Sequence, residues 1–468
     1  MDDFLREIQT SLFREWINNQ KRDYYHIHQS ETDPDAIIIE NEYCYSYVTF
    51  NPQCIIELCV MNKRTDEMAF YLHFQFKTLK HAISLFEEMD QCIKKMIDQP
   101  ICRLLLCCSG GMTTAFFADK IKNGIKVLNL NMEVAATSYQ KIYNVAQNYD
   151  VILLAPQVSY VKLQVEKVFK NKLVLKIPTQ IFASYNVGAL ITFVEESLKH
   201  KENKYNGYVE PLASMMEIKT NKNVLAVSIN ANGENSHISY RLYNSHQDIV
   251  LDSNIIKSNI KLQDVLDALD TVVLQNEMID VISIALPGVM VEGNVYSGII
   301  EGGNHQLKER LEKRYEKEIY LINDVNAAVV GYYASQNEYK SLAFLFQPIG
   351  RMAGSGIIVS GQLVRGMDHL AGEVALLPLK LSDSYLNLAN TPEGTLELVT
   401  KNIMSIIAIV APEAIVVYSD LILDSQDVSD EIKKSLSQYS LKVYPKIIKV
   451  ENILEYILLG AMILSAKE

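Results

Sequence analysis

One short segment has the residue types of a phosphate-carrying nucleophile. A run of apolar residues, Leu104–Cys107, predicts a buried strand, and Cys108 stands at its carboxyl end. Backbone N–H groups in the turn and first helical turn that follow would lower the pKa of a thiol and bind an anion. The sequence therefore predicts Cys108 as a catalytic cysteine and a phosphate-binding loop of Ser109, Gly110, Gly111, Met112, Thr113 and Thr114.

Two alternatives bear on this loop. A loop of the tyrosine-phosphatase type needs an arginine six residues after its cysteine, and Thr114 stands there, so that class is disfavoured. A small-residue turn in a flavodoxin-like sheet, without chemistry, stays open. Cys107 points to the opposite side of the predicted strand, and we expect it in the core.

A second candidate centre lies at Asn323 and Asp324, at the end of another predicted strand. A carboxylate there could act as a general base while the neighbouring amide orients the substrate. Taken alone, the pair favours a turn cap.

The elements that would position these residues fall into segments. Residues 1–98 predict a small α+β domain of unknown role, which closes with a helix from Thr78 to Ile97. In residues 99–200 short apolar strands alternate with helices, which indicates a parallel α/β sheet. A polar linker at 201–222 leads to a longer α/β domain at 223–468.

Composition narrows the function further. The chain has 468 residues and a formal net charge of −12, so its surface repels phosphate backbones and nucleic-acid binding is disfavoured. All seven cysteines lie within the first 108 residues at irregular spacing, which predicts neither disulfides nor a metal site. Without a signal-like start or a membrane span, we expect a cytoplasmic protein.

The middle segment resembles the enzyme IIB component of the lactose/cellobiose class of the bacterial phosphotransferase system. The similarity lies in Cys108–Thr114, Asp150–Tyr160, Ile177–Pro178 and Tyr185–Gly188. It implies a flavodoxin-like parallel sheet in which Cys108 accepts a phosphoryl group from a histidine-phosphorylated IIA partner. It also implies a membrane IIC component as a further partner.

The C-terminal segment resembles the ROK family of repressors and sugar kinases, through Ala285–Gly288, Ile322–Ala328, Gly356–Gly366 and Ala371–Glu373. The resemblance implies an actin-like, two-lobed sugar-kinase fold and a homodimer. It also implies a sugar or sugar-phosphate ligand with Asp324 as the general base, and sugar-binding roles for Asn304, Asn323, Asp324 and Glu373.

Departures from the family pattern fall on its nucleotide side. Ser228–Asn232 replaces the D-I-G-G-T that cradles phosphates, Arg351 and Met352 enter the second phosphate turn, and Tyr418-Ser419 replaces a glycine pair. Bulky side chains there obstruct backbone approach to a nucleotide. We therefore expect ATP-dependent transfer to be lost, with Mg-ATP as cofactor only if kinase activity persists. The family's zinc-binding cysteines are also missing, so no zinc is expected.

These observations favour a regulatory or sensory protein of sugar uptake, which is phosphorylated at Cys108 and binds sugar through its C-terminal domain. The alternatives are an active sugar kinase fused to a IIB domain and a IIB phosphocarrier for transport. A DNA-binding repressor is disfavoured because residues 1–98 are rich in predicted strand and poor in basic charge.

Overall fold

The computed structural model describes residues 3–467 except the short ranges 64–66, 98–101, 110–111, 129, 131, 170–171, 203–219, 233–234, 292–293, 297–298, 302–306, 368–369, 423 and 438–443. The described residues form mixed α/β structure in which parallel sheets predominate in the middle segment and the central strands of the C-terminal segment.

The first segment is an antiparallel meander with two helices against it. The aromatic side chains of Trp16 and Phe86 join these helices, with ring centroids 5.3 Å apart. The predicted α+β character is confirmed, and the predicted closing helix starts one residue later than expected. The elements are α1 (Asp3–Asn18), β1 (His26–Gln29), β2 (Ala36–Glu40), β3 (Cys44–Asn51), β4 (Ile55–Asn62), β5 (Glu67–Gln75) and α2 (Leu79–Ile97).

The middle segment is a parallel four-stranded sheet in the order β7-β6-β8-β9. Helix α7 runs through Glu202, so the first two residues of the predicted linker are helical, and 203–219 lie outside the described residues. The elements are β6 (Cys102–Cys108), α3 (Met112–Val127), β7 (Met132–Ser138), α4 (Ile142–Val145), β8 (Val151–Leu154), α5 (Lys162–Val168), β9 (Leu173–Lys176), α6 (Thr179–Ser184) and α7 (Val187–Glu202).

The C-terminal segment has two lobes, and the first ends in a helix that packs between them. The elements of the first lobe are β10 (Val224–Asn232), β11 (Asn235–Tyr243), β12 (Ile249–Lys257), β13 (Ile260–Lys261), α8 (Leu262–Gln275), β14 (Val281–Leu286), β15 (Val289–Val291), β16 (Asn294–Tyr296), β17 (Ile300–Glu301), α9 (Leu307–Tyr315), β18 (Glu318–Asn323) and α10 (Asp324–Ala334). Those of the second lobe are β19 (Leu342–Phe346), β20 (Gly354–Val359), β21 (Gln362–Leu363), α11 (Tyr385–Leu388), α12 (Pro392–Ile409), β22 (Ala414–Tyr418), α13 (Ser425–Ser437), β23 (Lys446–Lys449) and α14 (Leu454–Lys467).

The two lobes repeat one topology. The order β12-β11-β10-β14-β18 in the first lobe matches β21-β20-β19-β22-β23 in the second, and each has an antiparallel hairpin followed by parallel strands. Helices α10 and α14 cross closely between them, since a Cβ atom on Gly460 would lie 1.8 Å from the carbonyl oxygen of Ala327. The two-lobed α/β fold predicted from the sequence is confirmed.

The first segment and the first lobe share one sheet. Strand β5 pairs antiparallel with β12 at Tyr71 and Ile256, which joins β1–β5 to the lobe in a ten-stranded sheet of the described chain. One hydrophobic cluster also spans both parts, from Phe13 and Phe86 to Leu225. In sequence, the middle segment is therefore inserted between two parts of a single sheet. The domain boundaries at 98, 200 and 222 stay predictions.

A buried charge cluster fastens α2 to this lobe. The Lys257 ammonium group, with its side chain 2% exposed, lies 2.5 Å from Glu88 of α2 and 2.6 Å from Asp264 of α8. Lys261, which is half exposed, reaches the same Glu88 carboxylate at 3.1 Å. Because a buried ammonium needs opposite charge around it, Lys257 ties the position of α2 to that of α8.

None of the helices in the described part of the chain is long and apolar enough to cross a membrane. No disulfide joins any of the seven cysteines. Within the described residues, no group of three or more histidine, cysteine, aspartate or glutamate side chains is placed to hold a metal ion.

Candidate functional site

Cys108 is the last residue of β6, which lies between two parallel neighbours, β7 and β8. It is opposite Ser138 in the register, is 5% exposed, and precedes the start of α3 at Met112 by four residues. The carboxyl ends of the strands are where open parallel sheets place their ligands, and the amino end of the 16-residue helix α3 begins beside this position.

The loop itself is described in part. Ser109 is exposed, whereas Gly110 and Gly111 lie outside the described residues. Met112, Thr113 and Thr114 begin α3, and nothing is described of their side chains. Their predicted role as phosphate-binding residues therefore stays a prediction.

The thiol of the neighbouring residue, Cys107, lies in the core of the sheet. Cys107 is fully buried, and burial raises its pKa to about 12, with a smaller contribution from Cys108 beside it. Its carbonyl oxygen accepts a hydrogen bond from the N–H of Ala155 at 2.8 Å. A thiol with so high a pKa is protonated and unreactive at neutral pH. Cys107 is a core residue, as its orientation on the predicted strand indicates.

An aromatic and basic surface lies on the early part of α3. Phe116 is 52% exposed, and its ring stacks edge-on against Tyr185 with centroids 5.5 Å apart. The Lys120 ammonium lies 5.0 Å from the Phe116 ring centroid and 5.6 Å from that of Tyr185. Aromatic residues are enriched in protein–protein interfaces, so the exposed Phe116 ring marks a candidate docking surface.

The second candidate centre is at the start of α10. The Asn323 side-chain oxygen accepts hydrogen bonds from the N–H groups of Val325 and Asn326 at 3.1 and 3.0 Å, so it caps the helix. Its amide nitrogen donates to the carbonyl oxygen of Gly288 at 3.1 Å. The cap that the sequence left open is therefore present, and Asn323 fixes the position of the next residue, Asp324.

The fold brings Glu373 close to Asp324 through tightly packed glycines. A Cβ atom on Gly356 of β20 would lie 2.5 Å from the carbonyl oxygen of Val325, so this strand packs directly on α10. Gly372, which directly precedes Glu373, has φ +92°, and a Cβ atom there would lie 1.7 Å from the carbonyl oxygen of Ser355. Only glycine fits at these positions.

Burial changes the acidity of both carboxyl groups. Asp324 is 3% exposed, and burial raises its pKa to about 7, with a further contribution from the charge of Glu373. A backbone hydrogen bond from Val325 at 2.9 Å acts in the opposite direction. Burial also raises the pKa of Glu373. A carboxyl group that titrates near neutral pH suits a general base.

This raised pKa predicts a pH-dependent stability. An unfolded aspartate has a pKa of about 3.9, so the folded chain binds one more proton between about pH 4 and 7 and loses stability as pH rises through that range. Asp324→Asn should therefore be more stable than the native chain above pH 7, by roughly 2–4 kcal/mol, with the difference shrinking towards pH 4. Urea unfolding between pH 4 and 8 measures it.

The exposed Asp119→Asn provides the control, since it changes the same charge at the surface. A difference between native chain and Asp324→Asn that is constant with pH would contradict the raised pKa.

The remaining predicted residues have separate outcomes. Asn304 lies outside the described residues. On the nucleotide side, where the family has a glycine-rich turn, β10 and β11 stay paired up to Asn232 and Asn235. Sequence reasoning missed Ser355, which is 4% exposed and whose hydroxyl has no hydrogen-bond partner. The small residues around it in Gly354-Ser355-Gly356 were the available signal.

Two regions of the chain match known family models. Residues 103–192 match the family model of the lactose/cellobiose-specific IIB subunit of the phosphotransferase system. Residues 234–394 match the model of the ROK family. A search of curated proteins gives no match.

Solved structures from both families are similar to parts of this chain. A ROK family protein from Streptococcus pneumoniae TIGR4 in complex with sucrose is 17% identical, covers 52% of this chain and 97% of its own, and has a TM-score of 0.42. A ROK family glucokinase from Streptomyces griseus, in complex with glucose and AMPPNP, is 16% identical with coverages of 52% and 98% and a TM-score of 0.41. The lactose-specific IIB component domain from Streptococcus pneumoniae is 21% identical with coverages of 20% and 96% and a TM-score of 0.20.

Proposed function

Because this chain contains a lactose/cellobiose-type IIB domain and a ROK domain, we propose that it is a sugar-responsive regulatory protein of the phosphotransferase system. In this proposal Cys108 receives a phosphoryl group and the ROK domain binds a sugar without using ATP. The observation that carries it is the position of Cys108, at the carboxyl end of a central parallel strand and just before the amino end of α3.

The proposed phosphoryl transfer uses that position. The Cys108 thiolate attacks the phosphorus of a phosphohistidine on a IIA-type donor, the S–P bond forms, and the P–N bond breaks with the imidazole as leaving group. The N–H groups at the start of α3 would stabilise the negative charge on the phosphoryl oxygens. The exposed Phe116 and the nearby Lys120 offer the donor a docking surface close to the loop.

Sugar binding is assigned to the centre at Asp324. The carboxyl groups of Asp324 and Glu373 lie close enough for the charge of one to affect the other, and buried carboxylates are suitable acceptors for sugar hydroxyls. Asn323 positions Asp324 through the helix cap. Loss of the glycine-rich phosphate turns supports a binding role over transfer from ATP.

The insertion of the IIB domain supports communication between the two centres. Helix α2 ends at Ile97 and the first strand of the IIB domain begins at Cys102, so a short connection joins them. Helix α2 is in turn held to the first lobe by Lys257 and Glu88. A charge added at Cys108 can alter how the IIB domain docks, and this connection would carry the change to the lobe.

The test is phosphorylation of the full chain with the general phosphotransferase proteins and a IIA-type donor. Intact mass and peptide mapping should locate one phosphate on Cys108, and sugar affinity measured before and after labelling should differ. Absence of cysteine-linked phosphate with every lactose- or cellobiose-class donor would reject the proposal.

An ATP-dependent sugar kinase is the second candidate, because the pKa of about 7 at Asp324 suits a general base. Incubation with Mg-ATP and a panel of hexoses and amino sugars distinguishes the two. Turnover that is abolished by Asp324→Asn would replace the regulatory proposal with an active kinase. Transfer of phosphate from Cys108 to sugar in the presence of a membrane IIC partner would instead indicate a transport phosphocarrier.

A further inference from the structure

A cleft separate from the Asp324 centre lies between the two lobes. It encloses about 930 Å³ of space, part of it open to solvent. The first lobe contributes Asn230 and Asn254, the second contributes Phe346 and Arg351, and the start of α14 contributes Asn452. Neither Asp324 nor Glu373 is among the described residues that line it.

The cleft contains an arginine without a partner. Arg351 is exposed, and no described residue makes a side-chain hydrogen bond or ion pair with its guanidinium group. The carboxylate in the lining, Asp420, interacts with the hydroxyl of Tyr418 and contributes to raising the pKa of that hydroxyl, behind the larger effect of burial. Burial lowers the pKa of His237, another lining residue, so its imidazole is neutral at pH 7. Arg351 is thus the cation that the described lining presents to a ligand.

The turn that bears Arg351 is held in place by side chains. The Gln347 amide donates to the carbonyl oxygen of Arg351 at 2.9 Å, and the Tyr385 hydroxyl donates to the Gln347 side-chain oxygen at 2.9 Å. The same hydroxyl accepts a hydrogen bond from the N–H of Ala353 at 3.1 Å. A turn held at both ends loses little backbone freedom when a ligand binds, so the point from which the Arg351 side chain extends is fixed.

The amino end of α14 also faces the cleft. The Asn452 oxygen accepts a hydrogen bond at 2.8 Å from the N–H of Leu454, the first residue of this 14-residue helix, and both residues line the cleft. Glu455 in the first turn would oppose an anion, but Arg241 pairs with it at 2.8 Å in the interior. The positive end of the helix dipole therefore stays available to a negatively charged ligand.

From these features we propose that the cleft binds a phosphomonoester of a hydroxylated small molecule, that is, a sugar phosphate. Arg351 and the amino end of α14 take the phosphate, and the amides of Asn230 and Asn254 take hydroxyl groups. The single unpaired cation of the described lining fits one phosphate better than the three of a nucleotide. The proposal extends the proposed function by naming a ligand class at a second place in the ROK domain.

Binding to the full chain tests it, by isothermal titration with a panel of hexose 1- and 6-phosphates, the parent sugars, inorganic phosphate and ATP. At least one sugar phosphate should bind, and Arg351→Ala should weaken it about tenfold to hundredfold, as expected for a lost hydrogen bond to a charged group. Arg351→Lys should retain part of the affinity. The exposed Arg310→Ala on α9 is the matched control and should have no effect.

Other outcomes overturn the inference. The inference is wrong if no sugar phosphate binds at millimolar concentration, or if ATP or inorganic phosphate alone binds more tightly than any sugar phosphate. It is also wrong if Arg351→Ala binds the sugar phosphate as tightly as the native chain does. Sugar-phosphate binding that is lost in Asp324→Asn but kept in Arg351→Ala would place the ligand at the Asp324 centre instead. Phosphate labelling of Cys108 does not depend on Arg351, so failure of this inference and failure of the proposed function give different results.

Discussion

Replacing Cys108 with serine is expected to abolish phosphorylation of this chain by a histidine-phosphorylated donor. A serine hydroxyl has no accessible anionic form near neutral pH and is a far weaker nucleophile than a cysteine thiol. Labelling should fall to the background of an unphosphorylated chain, as measured by intact mass after incubation with the donor.

The matched control for this experiment is the adjacent thiol. Cys107→Ala removes a fully buried side chain whose pKa is raised to about 12 by burial, so the labelled amount should stay at the native value. A modest loss of stability, of the order of 1 kcal/mol, is expected from the small cavity. Label that persists in Cys108→Ser, or that is lost in Cys107→Ala while the fold is intact, would contradict the assignment of Cys108.

The second large effect is expected from Lys257→Met. This change leaves the carboxylates of Glu88 and Asp264 without the ammonium group that lies 2.5 and 2.6 Å from them. Breaking a buried ion pair by removing one partner costs about 3–5 kcal/mol. Because Glu88 belongs to α2 and Asp264 to α8, the loss should fall on the attachment of the first segment to the first lobe.

The chain offers a specific probe for this effect. Its one tryptophan, Trp16, packs on Phe86 of α2, so its fluorescence reports on the first segment. Urea unfolding followed by tryptophan emission should shift to lower urea in Lys257→Met. Lys261→Met is the control, since Lys261 reaches the same Glu88 but is 49% exposed, and pairs at the surface contribute about 0–1 kcal/mol. Equal shifts in the two variants would contradict a buried clamp.

These two predictions test the two ends of the proposed path of communication from Cys108, through α2, to the first lobe. Cys108 is where charge would be added, and the contact of α2 with the first lobe is where a change in the IIB domain would reach the ROK domain. If the route is correct, Lys257→Met should keep its phosphate labelling while sugar affinity no longer responds to it.

Both candidate centres could be predicted from the sequence because each is positioned by elements that are adjacent in the chain. A strand, a glycine-rich turn and a helix follow one another around Cys108, and a strand end with a capping amide precedes Asp324. Such continuous patterns determine which residue stands at a strand end and which helix begins beside it. They also determined the parallel α/β character of the middle segment and the two-lobed character of the last.

Tertiary structure decided which distant residues meet. Hydrophobic patterning indicates which face of β5 is buried but not which strand pairs with its edge, so the shared sheet of β5 and β12 was not predictable from either strand alone. Likewise, glycines allow β20 to pack against α10, and the charge of Glu373, distant in sequence, affects the pKa of Asp324. From the sequence, Arg351 is predicted to obstruct a phosphate-binding turn. Its place in the cleft, with the amino end of α14, depends on how the two lobes pack.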